Sequence, residues 1–263
     1  MWRFGLILVG LILSLTGVRA EPPAETRTEV RVGGYEFPPY VMLKDGQPSG
    51  LLPDLLAAFN RLQTSHRFTF VETAPKRRYI DFSKGRIDLI LFESSQWGWQ
   101  HTPHLATRVF MHDEEVMVAI AKPERDARFF EQLQARKLVG ILGYHYRFAG
   151  MDADENRLGK SFDILLSQDH LRNLNLILLD RPEVAEIAIV THSFLEMFLD
   201  RHPEHRPRLM ISAPDQIYDL QGLLRPDGPL DLASLEKLLT LAEQDGTLAA
   251  LRARYRIIDK TAD

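Results

Sequence analysis

The chain has no cysteine among its 263 residues. That absence excludes thiol catalysis, a disulfide framework, a thiolate metal centre and a lipid-modified cysteine behind a leader. A basic surplus is missing as well: Lys and Arg number 32 against 36 Asp and Glu, a formal net charge of -4 with the two signs interspersed. Nucleic acid calls for a strongly positive surface and is not expected as a partner. No G-x-S-x-G, S-x-x-K, G-x-x-x-x-G-K, G-x-G-x-x-G or H-E-x-x-H occurs, which removes familiar signatures of hydrolases, nucleotide binders and zinc proteases. His101, His104 and His112 lie close together without the spacing of a zinc site, and His202-Pro203-Glu204-His205-Arg206-Pro207 reads as a surface turn. No catalytic residue, cofactor or metal is expected.

Long apolar runs are scarce too. The main one, residues 4–15, follows Arg3 and leads to Val18-Arg19-Ala20 before the polar Glu21-Pro22-Pro23, the pattern of a secretory signal peptide cut after Ala20. A membrane anchor needs about 20 apolar residues, and Ser14, Thr16 and Arg19 interrupt this run. The expected product is an exported, soluble periplasmic protein with a polar leader over residues 21–29.

What is present is an ordinary globular balance, 45% hydrophobic and 26% charged, long enough for one large domain or two lobes. Residues 30–62 organise the rest. Residues 30–35 favour a strand, and Pro38-Pro39 forbids helix where Tyr35, Phe37 and Tyr40 gather. Asp45-Gly46 suits a tight hairpin, and after Gly50 the residues Leu51, Leu52, Leu55, Leu56, Phe59 and Leu62 follow helical spacing. A strand feeding a helix implies a parallel α/β layer, in which ligands sit beyond the carboxyl ends of the strands.

Further along, residues 67–72 read as a strand, 76–85 as a short helix and 87–92 as a buried parallel strand. Residues 93–107 are irregular. A strand over 116–121, a helix over 128–136 and a strand over 137–142 follow, the last entering Gly143-Tyr144-His145-Tyr146 and repeating the opening arrangement across a cleft. Strands are expected at 176–179 and 186–190, a helix at 193–199, a return crossing at 216–224 and an amphipathic helix over 231–255. The expected division is a first lobe over 30–117 and 222–263, and a second over 118–221.

Tyr35-x-x-x-x-Tyr40, Asp45-Gly46 and Gly50-x-x-x-Asp54-Leu55-x-x-Ala58 together resemble the opening of the bacterial periplasmic substrate-binding proteins of the polar-amino-acid type, extracellular solute-binding protein family 3. Gly85-Arg86-Ile87-Asp88 is similar to that family's GxxD step, and Asp245-Gly246-Thr247-Leu248-x-x-Leu251-x-x-x-Tyr255 resembles its terminal helix. Order and spacing carry the resemblance, which covers most of the mature chain. It implies a two-lobed α/β fold of type II, each lobe a sheet flanked by helices, with two hinge crossings. It also implies a monomer that closes on a small polar or aromatic solute and hands it to an inner-membrane permease, or reports it to a sensor. Two alternatives stay open: an exported lyase resembling the cyclohexadienyl dehydratases, with Glu93 as its general acid, and a detached sensory domain.

In that family, the loop after the third strand carries a Ser or Thr and then an Arg that grips the ligand's α-carboxylate. Ser94 and Ser95 can fill the hydroxyl role, but Trp97 or Trp99 stands where the Arg would be. The second-lobe Asp has no counterpart either, and His192 is nearest its place. Arg78 or Arg77 could hold an anion instead, since a guanidinium binds a carboxylate in a fork, and Arg78 is the expected replacement anchor. Tyr35, Tyr40, Trp97 and Trp99 are expected to stack on the ligand; Phe37 suits core or cleft equally. Tyr144, His145 and Arg147 are the facing residues of the second lobe.

Overall fold

The computed structural model describes residues 27–258. The expected signal peptide, residues 1–20, and residues 21–26 of the expected polar leader lie outside them, while Thr28 and Glu29 of that leader already belong to the first strand. Among the described residues no helix is long and apolar enough to cross a membrane.

The first strand, β1 (Thr28–Gly34), buries Val30 and Val32 and is followed by the hairpin β2 (Met42–Lys44) and β3 (Gln47–Ser49). Asp45 and Gly46 both take positive φ, 52° and 71°, as a two-residue turn matched to strand twist requires. The helix α1 (Leu51–Leu62) buries Leu51, Leu52, Leu55, Leu56, Ala58 and Phe59, the stripe its spacing foretold. Then come β4 (His66–Glu72), α2 (Arg78–Ser83), β5 (Leu89–Glu93), the short β6 (Leu105–Ala106) and the long β7 (Met111–Ile120). The remainder is β8 (Lys137–Ile141), α3 (Glu155–Ser161), β9 (Asp163–Ser167), α4 (His170–Leu178), β10 (Ile187–Thr191), α5 (His192–Arg201), β11 (Leu209–Ile211), β12 (Gln216–Leu224), α6 (Leu232–Gln244) and α7 (Thr247–Arg254).

These elements build two α/β lobes. The first sheet runs β4-β1-β5-β12 with β4, β1 and β5 parallel; the second runs β7-β10-β8-β9 with β10, β8 and β9 parallel. The lobes meet where β7 and β12 pair antiparallel, Met111 opposite Leu220 through Glu115 opposite Gln216. Both parallel sets therefore point the loops at their carboxyl ends toward one region.

Three expectations need correction. Residues 176–179 do not form a strand: they belong to α4 and the residue after it, where His170, Asn173, Leu174 and Ile177 are buried at helical spacing and Asp169 caps Arg172 N at 2.9 Å. A four-residue apolar run carries no period by itself. Residues 128–136 form two short 3-10 turns, Ala127–Phe130 and Leu133–Ala135, separated by Gln132 at φ -109°, ψ 61°. Residues 231–255 form two helices, because Gly246 turns left-handed at φ 80° and Asp245 accepts from Thr247 N to start the second.

One ionic knot fastens the first sheet. The buried Asp88 carboxylate accepts from Arg31 N at 3.0 Å, from Arg31 Nε and Nη2 at 2.8 Å each, and from Arg225 Nη2 at 2.8 Å. Burial alone would raise its pKa above the ordinary 3.8, but the hydrogen bonds from Arg31 and Arg225 pull it below. Its stabilisation is complete above that ordinary value and disappears as pH falls through the folded one. Asp88→Asn should cost about 2 kcal/mol near neutral pH, discounted from a fully buried pair because both arginines are partly exposed. Urea unfolding measures this, and the gap to the parent should shrink in acid.

Candidate functional site

The loop after β1 supplies Tyr35 and Phe37, α2 supplies Arg78, the loop after β5 supplies Trp97, β12 supplies Tyr218, and the loop after β8 supplies Gly143, Tyr144 and His145. Phe37 stands edge-on to Tyr144 at 5.7 Å and to Trp97 at 6.0 Å, Tyr35 edge-on to Tyr144 at 6.4 Å, and Trp97 edge-on to Tyr218 at 4.9 Å. Edge-to-face packing at these separations sets the positive rim of one ring against the negative face of the next. The rings leave a cavity of about 10 Å³, room for one water. The two lobes are closed on each other.

Cross-lobe polar contacts hold that closure. Tyr144 OH donates to the Glu36 carbonyl at 2.9 Å, Thr191 Oγ1 donates to the Pro38 carbonyl at 2.9 Å, and Lys76 pairs with Glu155. Two glycines make the approach possible. Gly98 has φ 77°, and a Cβ there would lie 3.0 Å from His145 Nε2; Gly143 has φ 81°, and a Cβ there would lie 3.0 Å from Lys76 Cγ.

Beneath the rings lies a buried ion pair. Arg78 Nε is 3.0 Å from Glu93 Oε1, off the line of a hydrogen bond, while Arg78 donates to the carbonyls of Pro75 and Trp97. Its guanidinium lies 5.1 Å from the Tyr35 ring centre and 4.3 Å from that of Tyr79. Burial opposes the charge of Arg78, yet Glu93 and the surrounding phenols hold it protonated. Burial raises the Glu93 pKa above 4.5, against the pull of Arg78, Trp99 and Tyr35. Across the cleft, burial and then the Arg78 charge push His145 down to about 4, so its ring is neutral at pH 7.

The expected site residues divide. Tyr35, Phe37, Arg78, Trp97, Tyr144 and His145 come together, with Glu93 behind Arg78. Trp99 is fully buried behind the site, packed edge-on against Tyr79 at 4.8 Å and Phe82 at 5.2 Å, with Nε1 donating to Glu93 Oε2 at 2.7 Å. Tyr40 is likewise buried: it stacks on Phe37 at 4.7 Å and donates to Asp113 Oδ2 at 2.9 Å. Ser94 and Arg147 line a separate hollow of about 350 Å³ with Gln216 and Asp219, and Ser95 donates to Gln221 at 3.3 Å. His192 opens α5 and does not line the aromatic cleft.

Sequence reasoning overlooked Tyr218, Gln216, Asp113 and Glu115. Gln216, with its amide oriented to satisfy both neighbours, donates to the His145 carbonyl at 3.0 Å and accepts from Trp97 Nε1 at 2.9 Å, bridging the two loops. Asp113 on β7 accepts from Tyr40 of the first lobe and from Ser193 Oγ and, at 3.3 Å, Ser193 N of the second. Glu115 takes one hydrogen bond, from Tyr218 OH at 2.7 Å, and its other oxygen is buried without a partner. The alternation of Asp113 and Glu115 in strand phase is the signal that could have found them: once β7 is placed, both fall on one buried face.

No family model matches the chain, and no curated protein matches it in sequence. Its fold is that of known two-lobed binding proteins. A substrate-binding protein of an amino acid ABC transporter is similar at 11% identity over 86% of this chain and 98% of its own, TM-score 0.63. A histidine kinase sensor domain with similarity to periplasmic binding proteins is similar at 17% identity over 89% and 99%, TM-score 0.64. An ancestral amino acid-binding protein, a precursor of cyclohexadienyl dehydratase, is similar at 16% identity over 86% and 94%, TM-score 0.65. These likenesses show the type II periplasmic-binding-protein fold.

Burial pushes Glu115 up to about 8 from the ordinary 4.5, despite Tyr218. Between those values the folded protein keeps the proton that the unfolded chain releases, so stability falls as pH rises. Glu115→Gln, which keeps an acceptor for Tyr218, should flatten that fall and exceed the parent by on the order of 2 kcal/mol at pH 8. Thermal unfolding from pH 5 to pH 8 reads it; an unchanged slope would place the proton elsewhere.

Proposed function

We propose that the protein is an exported, periplasmic solute-binding protein that takes a small polar or aromatic solute, an amino acid or a related compound, between its lobes and closes on it by hinge motion. The observation that carries this reading is the set of aromatic rings contributed by both lobes over the Arg78–Glu93 pair. We assign residues 30–117 and 222–258 to the first lobe and 118–221 to the second, with β7 and β12 as the crossings; residues 259–263, also expected in the first lobe, lie outside the described residues. In the closed arrangement the rings leave only about 10 Å³, so a solute takes the place of ring-to-ring contacts. Touching Tyr35, Phe37 and Trp97 on one side and Tyr144 and His145 on the other, it gains its full contact only when the lobes close on it. It therefore shifts the equilibrium toward the closed form by its difference in affinity for the two states. Because Glu93 balances Arg78, the floor offers paired charges rather than a free cation, which suits a zwitterion or a neutral polar ring.

A receiving permease of an ABC transporter is the partner this reading names; a signalling protein is the alternative, in line with the sensor-domain neighbour. Glu93 is fully buried behind Arg78, held by the Trp99 indole, and does not line the aromatic cleft, so it has no path to a bound solute and binding is preferred to a dehydratase-like reaction.

A thermal-shift screen over amino acids, amines, dicarboxylates and aromatic acids should yield a stabilising ligand. Calorimetric titration should then show Trp97→Ala weakening that ligand about tenfold or more, the loss of a desolvated aromatic anchor, with melting curves controlling for folding. Small-angle scattering of a Gly143 variant that keeps the lobes apart should show a smaller radius of gyration on adding the ligand to the parent than to the variant. Binding that leaves the scattering of both proteins identical at saturation would overturn hinge closure.

A further inference from the structure

A second cluster lies outside the cleft, on the turn after α5. His202 caps that helix, its N donating to the Phe198 carbonyl at 3.0 Å, and Pro203 then opens a 3-10 turn over Pro203–Arg208. His205 N donates to the His202 carbonyl at 3.0 Å, the three-residue step that places side chains i and i+3 one above the other. The two imidazoles therefore share a face, and Glu204 reaches in between. His202 Nδ1 lies 3.6 Å from Glu204 Oε1, and His205 Nε2 lies 3.7 Å from the same oxygen. All three ligand atoms fall within 4.8 Å of one another. Phe198 steadies both rings from below, stacked on His205 at 5.7 Å and 7° and tilted against His202 at 4.7 Å.

We propose that His202 Nδ1, a Glu204 carboxylate oxygen and His205 Nε2 form a binding site for a borderline divalent cation of the zinc type. Two imidazoles and one carboxylate match the donor set of three-residue zinc sites, which leave a fourth position open to water or to another ligand. Donors around a tetrahedral zinc sit about 3.3 Å apart. The Glu204 oxygen is near this distance from each imidazole, while the two imidazole nitrogens, within 4.8 Å, must draw together, which the exposed His202 side chain allows by turning. Imidazole donors also favour nickel and copper, whereas calcium and magnesium call for oxygen ligands. Arg208 Nη1 contacts His205 Nδ1 at 3.4 Å, and binding through Nε2 moves the ring proton to Nδ1, so the exposed Arg208 must turn aside. Arg206 does not compete for Glu204, since it is paired with Glu196 at 2.7 Å. The residues are independent of the aromatic cleft, so the site stands whether or not a solute binds there.

The test uses untagged protein and zinc chloride in isothermal titration, with cobalt(II) absorption as a second reading of coordination. One saturable site is expected. His202→Ala and His205→Ala should each weaken it about tenfold or more, and Glu204→Gln should weaken it by a similar factor. His101→Ala, on a loop far along the chain, should leave it unchanged, and circular dichroism should show all variants folded. No heat above dilution at millimolar zinc, or a site that survives both His202→Ala and His205→Ala, would overturn the proposal.

Discussion

A guanidinium and a carboxylate buried together set the terms for everything around them. Taking Arg78 and Glu93 out of water costs several kcal/mol for each ion, and their attraction offsets this only if the remaining donors and acceptors also find partners. The chain provides them locally: the carbonyls of Pro75 and Trp97 for Arg78, the indole of Trp99 for Glu93, and the faces of Tyr35 and Tyr79 for the guanidinium. Each of those groups is thereby fixed, and with them the loops after β1 and β5. The aromatic wall of the first lobe is a consequence of solvating one ion pair without water.

A different constraint governs the join between lobes. β7 and β12 pair along their backbones, so rotation of one lobe against the other must be absorbed near that ladder. Two of its buried side chains are acids. Asp113, pushed up to about 6 by burial, accepts from Tyr40 on one side and Ser193 on the other, so its hydrogen bonds span the lobes. Glu115 has one partner and one unsatisfied oxygen, and it avoids the cost of a buried charge by staying protonated. Met111, Leu220 and the Tyr218 ring are buried beside these acids, so apolar packing and directed hydrogen bonds hold the junction together.

Much of this architecture was legible in the residues. Apolar stripes gave α1, turn chemistry gave the hairpin at Asp45-Gly46, and continuous apolar runs gave β5, β8 and β10, because in each case one local rule decides the conformation. The misreadings share a cause. The apolar residues 176–179 are long enough for a strand and too few to show a helical period, and only Asp169 at the N-terminus of α4 tells them apart. β9 was missed because its apolar run, Ile164-Leu165-Leu166, is only three residues long and, at the edge of the sheet, is only partly buried. Arg78 was found by its position after β4, whereas its pairing with Glu93 lies in the tertiary structure, 15 residues on in the chain and across two elements.

Trp97 and Trp99 show why a site is harder to read than a fold. They are the same residue two positions apart in one loop, and by composition alone both look fit to meet a ligand. Gly98 between them adopts φ 77°, a left-handed conformation that ends the extended backbone and starts a short 3-10 turn. In an extended chain, residues two apart would face the same way. The reversal at Gly98 sends Trp97 forward, to the edge of Phe37 and Tyr218, and sends Trp99 back, under Tyr79 and Phe82 to the Glu93 carboxylate. One indole then faces the cleft and the other solvates the ion pair beneath it. The division of labour rests on a glycine whose left-handed backbone disfavours a side chain, and a Cβ there would meet the Tyr79 hydroxyl at 2.8 Å and, from the other lobe, His145 Nε2 at 3.0 Å.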